Sequence, residues 1–127
     1  MEGDLAIPTA PADVASLGGD LRATSGHTEW VDGRAHQTSF TTTFTLNTLV
    51  PFEDSDGTIL DVDWTNQQEG NSDTARTYAA ITARSFHPGG VNATRADGSV
   101  SFESDSVSLR VWQALATRNG GELLGGQ

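Results

Sequence analysis

The chain has no cysteine, which excludes disulfides, thiolate zinc sites and a cysteine nucleophile. It also lacks any apolar run near the roughly 20 residues that a membrane-spanning helix needs, and its first residues lack the basic-then-apolar pattern of a signal peptide. As it stands, the sequence reads as soluble and unanchored. Basic residues are scarce: seven Lys plus Arg face 17 Asp plus Glu, for a formal net charge of −10. A nucleic-acid backbone or an anionic lipid surface would repel such a domain, so neither is expected as a partner. Apolar residues are few as well, 35% of 127. They fall in short runs separated by Thr, Ser, Gly and Asp, a pattern that suits many short strands and long polar loops. The length accommodates one core and therefore one domain.

Residues 1–26 read as a partly irregular lead-in, with Pro8, Pro11 and the Gly18-Gly19 pair around a short apolar stretch that has room for one helical turn. The domain proper is expected over 27–127. Trp30-Val31 precedes Asp32-Gly33, a dipeptide favoured in tight turns, and a strand is expected after it. In Thr38 to Leu46, Phe40, Phe44 and Leu46 recur at even spacing among β-branched threonines, the clearest half-buried strand pattern in the chain. Leu60, Val62 and Trp64 share one face of a second strand, beyond an acidic turn at 51–57. Tyr78 to Phe86 predicts a third, buried on both faces. Val91 to Ala96, the Asp97-Gly98 turn and Ser99 to Glu103 form a β-hairpin signal. From Val107 to Arg118 the spacing turns helical, with Asn119-Gly120 as a stop.

Chemistry-bearing residues are few. The three histidines, His27, His36 and His87, lie in no H-E-x-x-H or G-x-S-x-G arrangement. His27 and His36 flank the first predicted turn and can approach one another, but two ligands do not make a zinc site. The run Glu53 to Asp63 places carboxylates around Gly57, as calcium ligation by a loop requires, yet it fails as an EF-hand because Phe52 stands where the first carboxylate belongs. Calcium is the one cofactor this turn could invite; otherwise none is expected. Asn92-Ala93-Thr94 matches a glycosylation sequon, which we take as chance. His87 and Asp97 are separated by nine residues. Either Asp97 caps its own turn while His87 packs beside Pro88, or an imidazole–carboxylate hydrogen bond clasps the loop. Both roles are structural, because no nucleophile accompanies the pair.

Two blocks carry a resemblance. Arg84-Ser85-Phe86-His87-Pro88-Gly89-Gly90-Val91-Asn92, Ala96-Asp97-Gly98-Ser99-Val100 and Val111-Trp112-Gln113-Ala114-Leu115 together resemble the C-terminal H-x9-DG signature of a large prepilin-like family of unknown function, abundant in planctomycetes. Gly26 to Arg34, with His36-Gln37-Thr38, Phe40-Thr41-Thr42 and Asn47-Thr48, resembles the same family. The resemblance marks His87, Gly89, Gly90, Asn92, Asp97, Gly98 and Trp112 as motif residues and supplies no catalytic or metal-binding ones. It implies an α+β, β-rich fold: a pseudopilin-like head with an antiparallel sheet, long loops and a short C-terminal helix. It also implies a full-length protein whose cleaved, methylated N-terminal helix anchors in the inner membrane. This chain would be the extracytoplasmic C-terminal part, with other prepilin-like subunits or itself as partner. Relatives commonly carry larger apolar residues before the Asp-Gly turn than Ala93, Thr94 and Arg95, so a more exposed hairpin is expected here.

The resulting expectation is a non-enzymatic structural or interaction domain. The rival is a surface-displayed carbohydrate- or calcium-binding module built on an exposed Trp30 or Trp64 and the acidic turn. A hydrolase, third, needs a cleft joining His36 or His87 to a serine or carboxylate.

Overall fold

The computed structural model describes residues 7–23 and 27–117. A 3-10 helix, Pro11–Ser16, comes first, and the Asp13 carboxylate reaches back to the Ala10 N–H and the Thr9 hydroxyl. There follow β1 (Asp20–Arg22), α1 (Ala35–Thr38), β2 (Pro51–Glu53), β3 (Ile59–Asp61), β4 (Asp63–Thr65), β5 (Ala79–Ala80), β6 (Gly90–Thr94), β7 (Val100–Ser104) and α2 (Leu109–Leu115). The fold is thus β-rich α+β, with small antiparallel sheets and short helices that include one near the C-terminal end. Instead of one sheet, the described residues form three, ordered β1-β4-β5, β2-β3 and β6-β7.

The division happens at Val62. Leu60, Val62 and Trp64 do share the inward face, as period two requires, with Val62 and Trp64 buried. The run nevertheless changes partner midway. β3 pairs with β2, the Val62 N–H donates to the Val50 carbonyl at 3.0 Å, and β4 pairs with β1 and β5. The stretch read as a lead-in belongs to this packing: Val14 is fully buried, β1 covers β4, and the Gly18 carbonyl accepts the Trp64 indole N–H at 2.6 Å.

The strand expected over Thr38 to Leu46 does not form. Its backbone runs beside residues 79–83 with isolated bonds, Thr41 N to Ile81 O and Asn47 N to Ala83 O, both 2.8 Å. Threonine hydroxyls replace the ladder between them: Thr41 Oγ1 accepts the Ile81 N–H, and Thr43 Oγ1 donates to the Ala79 carbonyl. Short hydroxyl side chains compete in this way for backbone partners. The apolar residues also diverge. Phe44 enters a core with Val14, Val50, Val62, Trp64 and Ala80, whereas Phe40 and Leu46 enter a second with Ala83, Val91 and Trp112. A regular strand would have sent all three to one face.

Between Asp32-Gly33 and that segment lies the single turn of α1. Of the strand expected over Tyr78 to Phe86, only Ala79–Ala80 is regular. The continuation is extended and buried through Ala83, and Phe86 projects into solvent. The closing helix is present as α2, with the Ser108 hydroxyl accepting the Val111 N–H as N-cap; Arg118 and Asn119-Gly120 lie outside the described residues.

Candidate functional site

Two Asp-Gly turns are built alike. In Asp54–Thr58 and Arg95–Ser99, the first N–H donates to the fifth carbonyl and the glycine N–H returns to the first, at 2.8–2.9 Å. Gly57 and Gly98 hold φ of +85° and +83°, a left-handed conformation that favours glycine. This is the three-residue hairpin loop closed by a glycine bulge. The aspartate before each glycine accepts the N–H two residues on, Asp56 from Thr58 and Asp97 from Ser99. The hydrogen bonds with Thr58 hold the Asp56 carboxyl below its ordinary pKa, and those with Ser99 do the same for Asp97. The acidic turn is therefore a hairpin closure. Among the described residues no group of three or more His, Asp or Glu is placed to hold a metal ion.

The H-x9-DG segment forms the β6–β7 hairpin, in register from Gly90↔Ser104 to Thr94↔Val100. That register overturns the His87–Asp97 clasp. His87 sits at the open end and Asp97 at the closed end, separated by five paired positions, about 17 Å of extended strand. Asp97 accepts from the Ser99 N–H and hydroxyl, while the His87 ring stacks on Phe102 with centroids 6.1 Å apart. The Gly89 carbonyl accepts the Asp105 N–H at 3.0 Å, and Gly90 allows close strand approach: a Cβ there would lie 2.0 Å from the Glu103 carbonyl oxygen. Asn92 faces outward on β6, opposite Phe102. On the outer face of the hairpin Val100 and Phe102 are exposed, whereas Val91 and Ala93 are buried. Trp112 is buried on α2 and stacks on Phe40 at 5.3 Å.

The two recognisable blocks meet. Asn47 joins three segments: its N–H donates to Ala83 O, its Oδ1 accepts the Ser85 N–H at 2.8 Å, and its Nδ2 donates to Asp105 at 2.7 Å. Gln113 Nε2 donates to the Thr42 carbonyl at 3.3 Å. Beside this junction Arg84 is held by every donor it has. Its Nε and Nη2 grip both oxygens of Asp61 at 2.7 and 2.8 Å, Nη1 reaches Asp63, and the Thr82 and Val62 carbonyls take the remaining N–H groups. Burial alone would lower the Arg84 pKa, but its hydrogen bonds to Asp61 and Asp63 raise it. The clamp lines a cleft of about 480 Å³ together with His27, Arg22 and Asn92. Two arginines and two aspartates balance in charge there.

His27 and His36 do come together, but through backbone: the His27 N–H donates to the His36 carbonyl at 2.9 Å. The two residues line different clefts, His36 a smaller one of about 230 Å³ with Asp20, Arg34 and Asp63. Among the described residues, neither cleft is lined by a serine. The loop between the histidines is tightly tied. Gln37 Oε1 accepts the Thr28 and Glu29 N–H groups, both at 2.9 Å, and Asp32 binds the Arg34 guanidinium and N–H. Hydrogen bonding from Arg34 depresses the Asp32 pKa from an ordinary 3.8 to about 2. At the tip, Trp30 is 86% exposed and Val31 77%. Trp64, fully buried, is no binding-face tryptophan.

Sequence reasoning missed Arg84, Asn47 and Gln37. Asp61 and Asp63 were signalled, since they alternate with Leu60, Val62 and Trp64 and so share the opposite strand face. Nothing local pointed from Arg84 to them.

The fold and this junction define a small β-rich domain in which Gly90, Asp97 and Gly98 shape a hairpin and Trp112 packs in a core. Over residues 12–110 the chain matches the family model described as "Protein of unknown function (DUF1559)", and it belongs to that family. No curated protein and no solved structure matches it.

Proposed function

We propose that this chain is the non-enzymatic structural and interaction ectodomain of a prepilin-like, surface or secretion-associated protein. One observation carries the reading: the residues in the two recognisable blocks bind each other. Asn47 ties Ser85 to Asp105, Phe40 stacks on Trp112, Asp97 closes its hairpin and Gly90 admits β7. A signature so used maintains an architecture. On this reading the full-length protein is extracytoplasmic, held at the inner membrane by an N-terminal helix, with prepilin-like subunits as partners.

The test is cell fractionation of the full-length protein in its native host, with mass spectrometry of its N-terminus. A cleaved, N-methylated and membrane-associated protein is expected. An unprocessed cytosolic protein would sink the proposal.

A further inference from the structure

The β6–β7 hairpin is a sheet of two strands, and the alternation of its ladder determines which main-chain groups face away from it. The Arg95 N–H donates to the Ser99 carbonyl and the Asp105 N–H to that of Gly89. With Asn92↔Phe102 and Gly90↔Ser104 as register partners, the odd-numbered positions of β7 bond to β6, and Val100, Phe102 and Ser104 turn their N–H and C=O groups outward. The Ser104 carbonyl accepts the Val107 N–H, but those groups of Val100 and Phe102 meet no partner among the described residues. Val100 is 64% exposed and Phe102 55%. The Phe102 ring leans back over β6, so near Gly90 that a Cβ there would meet Cζ at 2.8 Å, and the edge of β7 stays clear. Proteins commonly guard such an edge with proline, a cationic side chain or a bulge. β7 reads Val-Ser-Phe-Glu-Ser and pairs with β6 without interruption over five positions. Its one charge, Glu103, lies on the inner face with the Ser101 hydroxyl at 2.6 Å and Arg95 at 3.6 Å. Other edges differ: Val91 and Asn92 of β6 border the Arg84 cleft, and β2 begins with Pro51, which has no N–H to offer.

We propose that β7 of one copy pairs antiparallel with β7 of a second copy, about a two-fold axis at Phe102, to make a four-stranded sheet in the order β6-β7-β7-β6. An exposed edge takes an extended strand through main-chain bonds, and a two-stranded ribbon, marginal alone, gains most from it. The sequence of β7 selects both partner and register. With Phe102 on the axis, Val100 meets Ser104 of the other copy, their outward N–H and C=O groups alternate correctly, and Ser101 faces Glu103, a hydroxyl against a carboxylate. Sliding one strand so that Phe102 meets Ser104 sets two Glu103 carboxylates directly opposite each other, which is destabilising. Sliding it the other way, so that Phe102 meets Val100, runs Ser104 into the turn at Gly98, where φ is +83°. The strand is therefore complementary to itself at one register, as an isologous contact requires. Five residues a side bury far less than the roughly 800 Å² per partner of a standard interface, and the net charge of −10 opposes the approach. The contact is reversible for both reasons, and salt strengthens it by screening the repulsion. It goes beyond the proposed function, since neither processing nor anchoring enters into it.

Hydrogen exchange on the unaltered chain reads the contact directly. In dilute solution the Val100 and Phe102 amides should exchange as unbonded amides do, whereas Ser101 and Glu103, bonded to β6, are protected. Raising protein and salt concentration should slow the Phe102 amide by about tenfold and leave Ser101 unchanged. The absence of cysteine permits a test of register. Val100→Cys and Ser104→Cys chains are mixed in equal amounts and oxidised. Opposed residues at a hydrogen-bonded pair lie about 5.5 Å apart between Cα atoms, within disulfide reach, so the mixed disulfide should exceed either self-pair by about tenfold. Phe102→Pro removes the amide at the axis and no bond to β6, and in both chains it should bring the mixed species down to its statistical share. Phe102→Lys, which sets two cations against each other across the axis, replaces it if the proline variant folds poorly. Val100 and Phe102 amides that exchange freely at every concentration would overturn the proposal, and so would a mixed disulfide at its statistical share without either substitution. Protection of both amides at every dilution would overturn it too, because the chain would then cover the edge itself.

Discussion

Two cores share this molecule, each centred on a tryptophan, and they are built to different standards. Trp64 is fully buried among Val14, Val50, Val62, Phe44 and Ala80, with its indole N–H on the Gly18 carbonyl. Trp112 is nearly as buried and stacks on Phe40, but its N–H meets no acceptor among the described residues and a groove lies against it. The first core is closed by backbone from three sheet strands and the 3-10 helix. The second is closed by a hairpin, one short helix and the Asn47 hydrogen bonds. A buried donor without a partner costs free energy that a satisfied one does not, so the contrast predicts that the first core carries more of the stability than the second.

Truncating the two tryptophans should break the symmetry most visibly. Trp64→Ala is expected to cost about 3–5 kcal/mol, a large share of a small domain's total stability. Trp112→Ala should fall at or below the bottom of that range, because the adjoining groove lets neighbours relax into the space. Denaturant unfolding of both variants measures the difference, and equal losses would make the cores equivalent.

Gly90→Ala tests whether the second core depends on strand approach. The added Cβ meets the Glu103 carbonyl, and we expect a loss of about 2–3 kcal/mol, the scale of overpacking that moves backbone. Its hydrogen-exchange signature should be confined to the β6–β7 hairpin. Arg84→Met strips the clamp that joins the cores, leaving Asp61 and Asp63 without their cation. The side chain is 30% exposed, so water offsets part of the loss, and about 1–3 kcal/mol is expected.

Phenylalanine replacements sharpen the comparison further. Trp64→Phe should cost about 1 kcal/mol more than Trp112→Phe, because only the former loses a hydrogen bond. The smallest effect concerns the loop outside both cores. The Asp32 pKa is depressed in the folded chain, so the contribution of its pair with Arg34 is complete above the ordinary 3.8 and is lost as pH falls towards about 2. Exchange protection of the His27 amide, which bonds to His36, should persist at pH 3 and decline below it. In Asp32→Asn this pH dependence should vanish.

Local patterns were legible wherever a single turn or strand determines the outcome. The β6–β7 hairpin, the shared face of Leu60, Val62 and Trp64, and the helix carrying Trp112 all follow from short-range rules. The strand expected over Thr38 to Leu46 failed for a reason visible only in three dimensions, since Thr41 and Thr43 found carbonyl and amide partners some forty residues away. The His87–Asp97 clasp failed because sequence separation was read without strand register.

By itself, the sequence determined the β-rich class, the inward face of Leu60, Val62 and Trp64 and the Asp-Gly hairpin turns, since hydrophobic period and Asp-Gly chemistry are properties of neighbouring residues. Tertiary structure alone decided that apolar residues of one segment serve two cores, that Arg84 finds Asp61 and Asp63, and that one tryptophan of three stands in solvent. Those outcomes depend on which distant donors and acceptors arrive together, and no local pattern encodes that.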